Sequence, residues 1–136
     1  MSLKILKAIL YIVGIGYLFS FVVLFLPWDI MNKVFHFFRL EPIPEVPVAM
    51  YIIRVSYALF GLVGIFFLIL ANNPLRYPAM LTLAFGGMFV LGIVMLYSGL
   101  LYEIQSPWYL ADPLFCFCAG LAIPLFWWLA RKKKAR

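Results

Sequence analysis

The amino-acid sequence predicts an all-α integral membrane protein: a four-transmembrane-helix antiparallel bundle with a short amphipathic interfacial helix between helices 1 and 2. Three observations predict it. Two thirds of the 136 residues are apolar and only 12% are charged, whereas a soluble domain typically carries about 25% charged residues on its outside. Four apolar stretches, residues 5–26, 48–71, 79–101 and 113–130, reach or approach the about 20 residues that a helix needs to cross a bilayer core. Lys and Arg, finally, collect in alternate connections, as the positive-inside tendency requires.

Span 1 begins after Lys4 and Lys7, which is also how a secretory signal begins. Its apolar run is longer than the about 7–15 residues of a signal core, and Pro27-Trp28-Asp29 offers no small-x-small cleavage site. It is therefore expected to stay in the membrane. Residues 29–40 place Asp29, Asn32, Lys33 and His36 at helical spacing, with Ile30, Met31, Val34, Phe35 and Phe38 on the other side. This pattern predicts an amphipathic helix, capped by Asp29 and lying flat at the outer interface. The run Glu41-Pro42-Ile43-Pro44-Glu45-Val46-Pro47 excludes helix and predicts an extended return to span 2.

The segment Asn72-Asn73-Pro74-Leu75-Arg76-Tyr77-Pro78 reads as a tight turn, so spans 2 and 3 are expected to pack as antiparallel neighbours. Trp28 and Trp108 are expected at the outer headgroup level, and Trp127 and Trp128 at the inner one. No internal repeat divides the chain, which reads as a single membrane domain ending in a basic tail, residues 131–136.

Orientation follows from charge. Eight Lys and Arg residues fall on the side of the termini and the second loop, against Lys33 and Arg39 opposite. Both termini are therefore expected in the cytoplasm. Brevity, the lack of a glycosylation sequon and the lack of a cleavable leader point to a prokaryotic inner membrane. The formal charge of +6 is no nucleic-acid signal, because five of the eleven basic residues sit in the last six positions.

Arg54 is the residue that most invites a functional reading, since it lies about 9 Å inside span 2 and an intramembrane arginine is costly. Ala58 and Gly61 share its face. Its expected anionic partner is Glu103 or Asp112, and two readings stay open: a structural ion pair or headgroup-snorkelling arginine, or a ligand-binding arginine. Glycines at 14, 16, 61, 64, 86, 87, 92 and 99 predict close helix contacts, with Gly61, Gly64, Gly92 and Gly99 as the main packing positions.

His36, the only histidine, excludes a haem held by two histidines of one chain; it reads as a wetted surface residue or as a ligand shared with another subunit. Cys116 and Cys118 are two apart in an apolar stretch, so a helix turns them away from each other. A redox role for them has little support. No metal site, phosphate-cradling loop, catalytic serine or zinc motif is present, and no catalytic residue is assigned.

In helix count and length, over most of the chain, the plan resembles several four-helix bacterial membrane families, the DoxX-like proteins among them. The resemblance rests on architecture and carries over no residue. Three functions are compatible with the sequence. The first is a non-catalytic accessory subunit that packs into a larger membrane complex, with lipids and other membrane subunits or itself as partners. The second is a small quinone- or thiol-linked redox protein, using Arg54 with Glu103 or Asp112. The third is a homo-oligomeric lipid or small-molecule transporter. No cofactor is predicted; a quinone or a lipid is the molecule that a cavity between the helices would take.

Overall fold

The computed structural model describes residues 2–104 and 107–134. Trp108 and the tail beyond Lys132 are not described at the level of side chains, so the expectations for them lie outside the described residues. The described chain is all-helical: α1 Ser2–Leu18, α2 Ser20–Leu24, α3 Trp28–Phe37, α4 Pro47–Asn72, α5 Pro78–Leu101, a 3₁₀ turn Pro107–Leu110, and α6 Ala111–Lys134. Four segments are long and apolar enough to cross a membrane: Leu3–Leu24, Pro47–Asn72, Pro78–Leu101 and Ala111–Lys132.

Span 1 is not one rod. It breaks at Phe19, whose backbone stays right-handed, between Gly16 and Ser20. Such glycine and serine positions are where helices bend. Spans 2 and 3 each open on a proline in the first turn, where the missing N–H costs nothing. α6 runs through Pro124, which withdraws the donor that would otherwise reach the Gly120 carbonyl.

α1 packs along α4 and against α6, and α5 packs along α6, but α4 and α5 barely meet. This corrects the expectation that the tight turn makes spans 2 and 3 packing neighbours. A short loop fixes how far apart two helix ends are, but lipid can fill the space along their length as well as a partner helix can. The four spans thus form an arc, α4–α1–α6–α5, with an open seam between its ends.

The dry core is confined to one half of this arc. Leu6, Leu10 and Val13 of α1, Phe67, Leu70 and Ala71 of α4, Leu81, Ala84 and Met88 of α5, and Cys116, Ala119 and Ile123 of α6 form one buried cluster. Within each helix these residues follow the three- and four-residue steps of a single face. Most lie toward the α4–α5 turn. At that end Lys7 Nζ donates to the Asn72 carbonyl at 2.7 Å, and the Tyr11 hydroxyl donates to Asn72 Oδ1 at 2.8 Å. A lysine there satisfies a carbonyl that the end of α4 leaves open. Farther along α6, Arg131 lies over the Trp127 ring at 4.7 Å and Lys132 over Trp128 at 5.0 Å, cation–π contacts of ordinary length.

α3 begins at Trp28, and its N-cap is Pro27 with no side-chain cap bond, so Asp29 sits inside the first turn and does not cap it. Trp28 and Met31 are buried against the bundle. Asn32 clasps the return strand: its Oδ1 accepts from the Ile43 N–H at 3.0 Å, and its Nδ2 donates to the Ile43 carbonyl at 3.4 Å. The proline-rich run and α3 are in this way tied into one cap.

Candidate ligand-binding site

Three cavities border the dry core, and Phe67, Ala84, Met88 and Cys116 face both core and cavity. One cavity of about 540 Å³ lies among α1, α4, α6 and α3, lined by Gly16, Tyr17, Ser20, Phe35, Ile53, Ser56, Tyr57, Phe60, Met95, Asp112, Phe115 and Cys116. A second, also about 540 Å³, adjoins it under α3 and shares Phe35, Tyr57, Met95 and Asp112 with the first. A third, about 970 Å³, is the apolar seam between α4 and α5, and it shares Tyr17 and Phe60 with the first. The three adjoin one another: a chamber bearing hydroxyls and one carboxylate, and an apolar trough that shares the stacked rings of Tyr17 and Phe60 with it.

Each wall has a local cause. Gly16 and Ser20 flank the break in span 1, and a Cβ placed on Gly16 would meet nothing within 4 Å. The Tyr17 hydroxyl stands 3.7 Å from both Met88 Sδ and Cys116 Sγ, which joins α1, α5 and α6 at the chamber floor. Asp112 lies one turn before Cys116 on α6, about 6 Å higher along the axis. Ser56 returns its proton to the Ile52 carbonyl at 2.8 Å, so its hydroxyl is satisfied within α4. Phe35, from α3, forms the roof. Among the described residues, Asp112 is the only charged side chain lining either half of the chamber.

The roof is held in place by two helix endings of the same kind. At the end of α3, Arg39 adopts φ 56°, with its N–H on the His36 carbonyl and the Leu40 N–H on the Phe35 carbonyl. At the end of α5, Glu103 adopts φ 51°, with its N–H on Leu100 and the Ile104 N–H on Gly99. These are Schellman endings, in which the left-handed position usually falls to glycine. They deliver Leu40 and Ile104 to the chamber wall. Glu103→Gly is expected to raise stability by about 1 kcal/mol by removing the left-handed strain, read as a higher melting temperature in detergent.

The sequence-derived residues are distributed unevenly. Arg54 meets neither Glu103 nor Asp112: its Nη1 donates to the Leu24 carbonyl at the end of α2. The reason is Pro27, three residues beyond Leu24, which has no N–H to offer that carbonyl. Both acids are exposed; Glu103 forms the helix ending just described, and Asp112 lines the rim of the chamber. Ala58 is half-buried on α4.

Among the glycines, a Cβ on Gly61 would collide with the Phe21 ring, on Gly64 with the backbone of Leu18 and Gly14, on Gly92 with Phe117 and Cys116, and on Gly99 with the Tyr109 ring. Gly16, Gly86 and Gly87 behave differently from the packing role expected of them. Each would meet open space, the first in the chamber and the other two in the seam.

Cys116 is buried, Cys118 is exposed and both thiols are free. His36 is exposed on α3, and among the described residues no cluster of ligating side chains could hold a metal ion. Sequence reasoning missed Tyr17, Ser20, Ser56 and Tyr57, the hydroxyls that make the chamber polar. Their signal was present as hydroxyl groups inside mostly apolar spans, beside others such as Tyr11 and Tyr51 that line none of these cavities. Comparison with family models, curated proteins and solved structures finds no match to this chain.

Proposed function

We propose that this protein is a non-catalytic membrane protein that takes an amphiphile from the lipid, holding its polar end in the chamber and its apolar tail along the α4–α5 seam. One observation carries the proposal: the polar chamber and the apolar trough lie side by side, with Tyr17 and Phe60 lining both. Each cavity taken singly falls within the about 300–1,000 Å³ usual for ligand pockets, so the chamber suits a head group and the trough a tail. The side opening suits a guest that is already dissolved in the bilayer.

In this reading the spans form an antiparallel bundle. The reversed pairing of α1 with α4 supports it: Lys7 with Asn72, Gly14 with Gly64, Phe21 with Gly61, and Leu24 with Arg54. Both termini face the cytoplasm of a prokaryotic cell, by the distribution of Lys and Arg, and α3 lies at the outer interface over the chamber.

Gly16→Leu tests the proposal. The substitution fills the chamber from a position with open space around it and replaces a poor helix former with a good one. Expected is a loss of about tenfold or more in the amphiphile that copurifies in mild detergent, measured by mass spectrometry, with the melting temperature unchanged or raised. Undiminished copurification would defeat the proposal.

A second reading, an accessory subunit of a larger membrane complex, is favoured by the empty space beside Gly86 and Gly87. Glycines on a free face let a partner helix approach closely. A stoichiometric polypeptide in the same preparation, rather than a small molecule, would support that reading.

A further inference from the structure

We infer that the chamber selects amphiphiles with a positively charged amine head, with Asp112 as the counter-ion and surrounding aromatic rings as the cage. The inference rests on the reading of the chamber as an amphiphile site and names the class of ligand.

Asp112 is exposed in the first turn of α6, where its carboxylate borders both halves of the chamber and is open to a guest. Neither half of the chamber is lined by Lys, Arg or His. Among the described residues, no ion pair or side-chain hydrogen bond reaches Asp112, and Arg54, the partner expected from the sequence, is engaged on the Leu24 carbonyl. The start of α6 favours a negative charge in its first turn. That explains an acid at this end of the helix, but an acid turned to the lipid headgroups would serve as well. Asp112 instead borders both halves of a cavity.

The rest of the lining points to the same guest. Tyr17, Phe35, Tyr57, Phe60 and Phe115 border the half of the chamber that holds Asp112. Aromatic faces carry negative potential and attract ammonium groups, most strongly where water is excluded. A single carboxylate within a ring of aromatics is complementary to an alkylammonium and repels a phosphate, sulfate or carboxylate head. The trough beyond Tyr17 and Phe60 is apolar, with Thr82 as its only hydroxyl outside Tyr17, and it accepts an alkyl chain.

The test uses the full-length protein in neutral maltoside micelles, with dodecyltrimethylammonium and dodecanol as probes of equal chain length, and affinities from calorimetric titration. The native chain is expected to bind the ammonium about 30-fold more tightly than the alcohol. Asp112→Asn is expected to remove that preference, bringing the affinity for the ammonium down to that for the alcohol. Asp112→Glu is expected to retain it, which separates charge from folding, and melting temperatures verify that each variant is folded. Gly16→Leu is expected to block both probes. Equal affinity for the two probes in the native chain, or a preference that survives Asp112→Asn, overturns the inference while leaving the amphiphile site standing, provided Gly16→Leu still blocks binding. Binding of both probes undiminished by Gly16→Leu overturns the site itself.

Discussion

Gly64→Ala is expected to destabilise the protein by about 2–4 kcal/mol, at or above the upper end of what one added carbon costs in a packed interior. The new Cβ would stand 2.6 Å from the Leu18 nitrogen and 2.8 Å from the Gly14 carbonyl oxygen. Both are backbone atoms, so no side chain can rotate out of the way, and α1 and α4 must separate. Separation weakens the dispersion contacts along the longest interface in the bundle. In lipid no hydrophobic driving force returns that loss, because close packing is itself what holds the helices together. Gly87→Ala is the matched control. Its Cβ would meet nothing within 4 Å, and the gain in helix propensity of about 1 kcal/mol makes it neutral or stabilising. Melting temperatures of the two variants in one detergent decide the matter; equal values would mean that the α1–α4 contact is not this close.

Arg54→Met is expected to cost about 2–3 kcal/mol, the price of a buried carbonyl left without a donor. The methionine keeps most of the aliphatic length and removes the N–H that reaches Leu24. Lysine at the same position can still place one ammonium proton near that carbonyl, so Arg54→Lys is expected to lose about 1 kcal/mol or less. Arg54 also ties α4 to the corner where span 1 turns into α3 through Pro27. Loss of that tie should expose the buried Trp28, seen as a red shift in tryptophan fluorescence before global unfolding. If Arg54→Met melts at the native temperature, with unchanged fluorescence, the arginine is not a cap for α2.

The four spans were legible because length and hydropathy determine them. Hydrocarbon accepts nothing else of that composition except a helix with its backbone bonded internally. Neighbour relations were not legible, since the sequence of the α4–α5 turn describes two helix ends and says nothing of the lipid that can lie between their bodies.

Arg54 is instructive in another way. Its position marked it as a charge in need of a partner, and the search for an anion led to Glu103 and Asp112. The partner is a carbonyl, and the signal for it was Pro27, where the chain lacks a donor three residues after Leu24. Glu103 was read through its carboxylate, although its backbone conformation is the feature that places it.

The glycines divided by their surroundings rather than their spacing. Gly64 and Gly87 look alike in sequence, yet one faces a neighbouring backbone and the other a void. The chamber itself was half visible. Asp112 drew notice through its charge, while Tyr17 and Tyr57 passed as ordinary aromatics in a chain that has 19% of them.

The uneven distribution of the dry core, finally, separates two properties that many small proteins must trade against each other. Side chains such as Leu10, Leu70, Leu81 and Ile123 have no exposure at all and hold one end of the bundle shut. None of these four lines a cavity, so a guest held as proposed would meet other residues. Occupancy and lifetime of the fold can then be tuned by different residues, so adaptation to a new guest need not shorten the protein's survival.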